Sequence, residues 1–178
     1  MAPRASNALK IGAAVAIVIA AGVVAYVRMR SISRGTGDDQ AQVWFYDQSE
    51  KYLYALPRDT IPPDDGIGGA PDDAVRATVV CPRGAEQDAK KRRIAYLETY
   101  TPELHKLMHD IDAAHKAGKA YSGKKPGRND PFVMKNTLVR REKDPAWYDM
   151  TTKEAAAIII EWRDWRDESG KPLVVCAP

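Results

Sequence analysis

The chain is poor in the residues on which most enzymes and cofactor sites are built. Among its 178 residues there are only two cysteines and three histidines. All three histidines, His105, His109 and His115, fall in one helical stretch. No serine–histidine–acid or cysteine–histidine set can therefore be drawn from separate segments without arbitrary choices. The two cysteines, Cys81 and Cys176, lie far from the end of the single long apolar run, which argues against a lipoprotein. That run contains no glutamate, which argues against a type IV pilin. Acidic residues are absent from residues 1–34, and no repeat of solenoid type is visible. The balance of the sequence is against an enzyme, and no cofactor is implied.

The formal charge of +3 belongs to one end of the chain. Residues 1–34 hold Arg4, Lys10, Arg28, Arg30 and Arg34 without an acid. Those five of the 27 lysines and arginines leave 22 against 24 acids, so the chain from Gly35 onward carries about −2. The basic excess thus flanks the apolar run, where lysine and arginine meet lipid headgroups. It does not point to nucleic acid.

Ile11 to Val27 reads IGAAVAIVIAAGVVAYV, uncharged throughout. With Leu9 and a snorkelling Lys10 it makes about 19 residues. At ~1.5 Å per residue these span roughly 28 Å, close to the ~30 Å hydrocarbon core. A buried core helix of this length needs a polar face, and this one has none. The sequence therefore predicts a single-pass signal-anchor: tail 1–10, transmembrane helix 11–27, tether 28–42 and a globular domain 43–178. A cleaved signal peptide, cut after Ala25, is the rival reading. The length of the run and the Arg28-Met29-Arg30 that follows weigh against it. The acid-free tail favours the N-terminus inside, with the domain outside the cytoplasm. Gly12, Ala16 and Ala20, four apart, form a seam through which such helices can dimerise.

The domain opens on two aromatic runs, Val43–Asp47 and Tyr52–Leu56, around a short polar loop, which predicts a hairpin. Pro57 to Asp73, rich in proline, glycine and aspartate, is a loop. Val75–Cys81 alternates as a third strand, and Ile94–Tyr100 is read as a fourth. Thr101-Pro102-Glu103 starts a helix with a threonine cap and proline in its first turn. Its stripe is Leu104, Leu107, Met108, Ile111 and Ala114, and Gly118 ends it. Lys119–Lys135 is read as a basic loop and Thr137–Arg140 as a strand. Thr151-Thr152-Lys153-Glu154 is read as a capping box for a second helix with Ala155, Ile158, Ile159, Trp162 and Trp165 on its apolar face. Leu173–Cys176 closes the chain as a strand. The expected fold class is α+β, a small and mainly antiparallel sheet with two helices packed on it.

The pattern Trp44-Phe45-Tyr46-Asp47, Ile61-Pro62-Pro63, Val75-Arg76-Ala77, Tyr96-Leu97-Glu98, Tyr100-Thr101-Pro102-Glu103, Leu138-Val139-Arg140-Arg141 and Asp144-Pro145-Ala146-Trp147 covers nearly all of this domain. It resembles a group of uncharacterised, membrane-anchored small proteins of planctomycete-type bacteria. The resemblance implies a membrane-anchored domain and brings no site residues with it.

Four features bear on chemistry. Gly118–Lys124 has phosphate-loop spacing, but Lys125 stands where a magnesium-binding hydroxyl belongs, and the segment follows a helix where that motif follows a strand. His105, His109 and Asp112 fall within about 60° on one helix flank and form a candidate site for zinc, copper or iron. The glutamate of the zinc-protease HExxH motif is missing, and solvated flank histidines are common. Lys90-Lys91-Arg92-Arg93 reads as a solvated surface segment. Cys81 and Cys176 each end an apolar strand and are candidates for a disulfide in an oxidising compartment. The expectation is a membrane-tethered, non-enzymatic interaction or assembly domain, whose partners are the bilayer, other membrane or envelope proteins and a second copy through the transmembrane helix. Nucleic acid is not among them. A metal-binding domain using His105, His109 and Asp112 is the alternative.

Overall fold

A computed structural model describes residues 41–178 except Lys124 and Arg128. The expectations for the tail, the transmembrane helix and nearly all of the tether lie outside the described residues. Among the described residues no helix is long and apolar enough to cross a membrane.

Among the described residues seven strands form one antiparallel sheet: β1 (Gln42–Asp47), β2 (Tyr52–Pro57), β3 (Ala74–Pro82), β4 (Arg93–Tyr100), β5 (Thr137–Arg140), β6 (Tyr148–Asp149) and β7 (Leu173–Val175). The order across the sheet is β2-β1-β3-β4-β5-β6. Strand β3 is long enough to hold two partners on one side. Its first half, Ala74–Ala77, pairs with β1, and its last residues, Val80–Pro82, pair with β7. The start of β1 and the end of β7 thus meet, and the Trp44 indole Nε1–H donates to the Cys176 carbonyl across the junction at 2.9 Å. Three helices complete the α+β domain: α1 (Pro102–Lys116), α2 (Pro131–Asn136) and α3 (Lys153–Glu161).

Alternation assigns the two faces of the sheet. Trp44, Tyr46, Val75, Ala77, Val79, Cys81 and Leu97 share one buried cluster. Between Thr78 and Val79 the partner on β4 jumps from Tyr96 to Ile94. Ala95 is therefore a bulge, and the jump lets Ile94 and Leu97, three apart, face the same cluster. Strands β1 and β5 have two strands between them, roughly 14 Å on a flat sheet. Long side chains bridge that span on this face: the Tyr46 hydroxyl donates to Glu142 just beyond β5 at 3.1 Å, and Arg140 of β5 donates to Gln48 at 2.7 Å. Trp147 packs against the same cluster, with the Arg140 guanidinium 4.7 Å from its ring centroid.

The other face is covered in two parts. Helix α3 packs on β4 and β5, with Ala155 and Ile158 fully buried. The loop after β2 lies over Phe45 and Arg76, where Arg76 donates to the Thr60 carbonyl at 2.9 Å and pairs with Glu98 at 3.5 Å. Phe45 is wholly enclosed, and burying a side chain of that size stabilises by roughly 1.5–3 kcal/mol.

Three details of the sequence reading need correction. Within the expected loop Lys119–Lys135, Asp130 caps Phe132 N–H and Pro131 opens the short helix α2. Strand β6, only two residues long, was not expected. The capping box is not made: Thr152, not Thr151, caps α3, accepting from Ala155 N–H, which puts Glu154 one position short of closing the box.

Candidate functional site

Helix α1 carries the histidines, and its own chemistry fixes their position. Thr101 accepts from Leu104 N–H, Pro102 takes a place that needs no N–H partner, and Leu104 and Ile111 are buried. The opposite flank turns His105 and His109 outward. Their Nε2 atoms are 3.0 Å apart, with ring centroids at 4.4 Å and planes at 78°. A neutral pair at this distance shares one hydrogen bond, one ring donating and the other accepting. Asp112 is not brought to them. It pairs with Lys116 at 2.7 Å, as Asp110 pairs with Lys106 at 2.7 Å. Among the described residues no three His, Cys, Asp or Glu side chains converge in the manner of a metal site.

His105 also borders a cavity of about 350 Å³, lined in part by Gln48, Asp72, Thr99 and Trp147. Thr99 Oγ1 is buried there without a hydrogen-bond partner. A larger hollow of about 580 Å³ lies between β4 and the segment Arg141–Asp144. Its wall is held by Arg141, which donates to Glu161 at 2.5–3.0 Å and to Asp144 at 2.9 Å. Those two carboxylates raise the pKa of Arg141.

The cysteines are brought together. Cys81 and Cys176 are disulfide-bonded, with Cα atoms 6.0 Å apart and both residues buried. Strand pairing explains it: Cys176 N–H donates to the Val79 carbonyl at 2.8 Å, so its side chain falls on the same face as Cys81, one diagonal step away.

Three groups escaped the sequence reading. Arg92 and Arg93 are not merely solvated: they lie 4.7 Å and 4.2 Å from the ring centroids of Trp44 and Trp165. Tyr46 is enclosed. Burial first, and the neighbouring Glu142 carboxylate second, push its phenol up to about 12. Asp47 is a carboxylate with no exposed surface. Burial by itself would raise its pKa. Backbone N–H donation from Glu50, a hydrogen bond shared with the Asp73 carboxyl, and donation from Ile67 and Gly68 outweigh burial and hold it below the ordinary carboxylate value. The bonds from Glu50 and Ile67 are 2.8 and 2.7 Å long. The one available signal was an aspartate between an aromatic strand and a polar turn, followed by a loop rich in glycine and aspartate.

Compared with known proteins, the chain matches no family model, no curated protein and no solved structure.

Proposed function

We propose that this chain is a single-pass membrane protein whose domain, held outside the cytoplasm, acts as a non-enzymatic interaction or assembly module. The observation that carries the reading is the Cys81–Cys176 bridge, buried where the end of β3 meets β7. Disulfides persist in oxidising compartments and are rare in the cytosol. The uncharged stretch 11–27, with arginines after it, supplies the tether, in keeping with the resemblance to membrane-anchored proteins. The outer edge of β2 supports an interaction role. It terminates the sheet, and Tyr52 on it is 58 % exposed and stacks with Tyr54 at 6.5 Å. An edge of this kind can accept a further strand from a partner. The partners are the lipid bilayer, other membrane or envelope proteins, and a second copy through the Gly12, Ala16 and Ala20 seam.

The test is topological. A reporter enzyme that works only outside the cytoplasm, fused after Pro178, is expected to be active, and the protein is expected to stay with membranes through high-salt and carbonate washing. Activity solely from a cytoplasmic reporter overturns the orientation, and release by carbonate overturns the spanning helix.

A further inference from the structure

We propose that His105 and His109 form a two-nitrogen chelate for a divalent transition metal of the copper(II) type. Imidazole nitrogens sit about 2.0–2.1 Å from such metals. Two of them at a right angle are then about 2.9 Å apart, and at the tetrahedral angle about 3.3–3.4 Å. The observed Nε2–Nε2 separation, a hydrogen-bond contact of 3.0 Å, lies close to both spacings, so small side-chain rotations bring the pair to a shared metal. Copper(II) heads the affinity order of the divalent first-row metals and is the ion the pair takes first.

Both rings stand four residues apart on one helix, whose inner side is anchored by Leu104 and Ile111. The backbone therefore needs no rearrangement to present the two nitrogens. The pair now spends one nitrogen's lone pair on the other ring's N–H. Binding moves that proton from Nε2 to Nδ1 of the donor ring, a change of tautomer with no net loss of a proton. Rotation about the side-chain bonds then turns both lone pairs to one point. His109 is exposed, so the motion meets no packing.

His105 lies on the border of the 350 Å³ cavity and His109 is exposed, so the pair is open to a metal arriving from solvent. Asp112, kept by Lys116, is not a ligand in this arrangement, and His115 lies outside the pair.

The test uses the purified full chain in detergent, titrated with copper(II) alone in a non-coordinating buffer. Calorimetry reads the affinity, and electron paramagnetic resonance reads the number of coordinated nitrogens. One equivalent is expected to bind with the pattern of two imidazoles. His105→Ala and His109→Ala are each expected to weaken binding by about tenfold or more, since each removes the chelate advantage of a second linked ligand. His115→Ala is expected to leave both readouts unchanged. Unchanged affinity in His109→Ala overturns the proposal, as does loss of the signal in His115→Ala. His109 is exposed, so that variant carries the test even where His105→Ala fails to fold. Zinc binding as tight as copper(II) binding overturns the copper(II) assignment.

Discussion

Reducing the Cys81–Cys176 bond, or replacing both cysteines with alanine, is expected to remove a large part of the domain's stability. The two residues are 95 apart in sequence. For a closed loop of that size the chain-entropy model gives about 4.7 kcal/mol, an upper figure, because a compact unfolded chain has less freedom to lose. Domains of this size are stable by only about 5–15 kcal/mol, so the melting temperature should fall on the order of 10–20 °C. The loss should begin locally. Strand β7 is three residues long and pairs only with β3, and a short terminal element with one partner frays first. Trp44 reports on this directly, since its indole donates to the Cys176 carbonyl. The assay is urea unfolding of the full chain in detergent, with and without reductant, followed by tryptophan fluorescence and by amide exchange at Cys176, whose N–H donates to the Val79 carbonyl. Alanine avoids burying a new hydroxyl at positions that are almost fully enclosed. A midpoint shift equivalent to less than about 0.5 kcal/mol would refute the reasoning. Uniform loss of exchange protection across the sheet would refute its local part.

Further outcomes follow from the two buried ionisable groups Asp47 and Tyr46. Asp47→Ala should cost about 2–4 kcal/mol, because it strands backbone donors that now point at a carboxylate; Gly66→Ala should do part of the same damage, since its Cβ would come within 2.6 Å of Asp47 Oδ2. The folded-state pKa of Asp47 is lowered, so its contribution is present above the ordinary carboxylate value of about 4 and is lost as pH falls through the folded value. An acid limb that is equally steep in Asp47→Asn, measured by urea unfolding at stepped pH, would refute that assignment. Tyr46 has a raised pKa, so its contribution is complete below about 10 and is lost as pH climbs towards about 12. Tyr46→Phe should flatten that alkaline loss, and an unchanged alkaline slope in thermal unfolding would count against it.

What the sequence made legible, and what it hid, divide along the range of the interactions involved. The hairpin β1–β2, strands β3 to β5 and the start of α1 rest on local signals: alternation, aromatic runs and a Thr-Pro cap. Those signals act over a few residues, and the structure follows them. The misses have a different cause. Strand β6 is two residues, too short for any period to show, and exists because Val139 offers Tyr148 a partner. Helix α2 had its cap and proline in plain view, but a six-residue helix carries too little periodicity to stand out from a glycine- and lysine-rich surround. At α3 two adjacent threonines offered two caps, and burial of Ala155 decides for Thr152. The cysteine pair sits between these cases. Each half was visible as the end of an apolar strand, while the pairing depended on β3 serving two partners on one side.

The candidate site obeys the same rule. Spacing alone put His105 and His109 on one flank, because four residues along a helix is a local relation, and the structure sets their nitrogens 3.0 Å apart. It also put Asp112 there, but angular position does not say which neighbour a carboxylate takes. Lys116, four residues further on, offers Asp112 an ion pair at 2.7 Å. An acid placed N-terminal to a lysine by four is the favoured orientation for such a pair on a helix. The carboxylate that burial singles out is Asp47, whose donors come from its own turn and from Ile67, twenty residues away across the aspartate-rich loop. Long-range closure of that kind leaves no period in a sequence. A sequence search for paired chemistry therefore finds the helix and passes over the loop, although the loop holds the one fully enclosed charged group among the described residues.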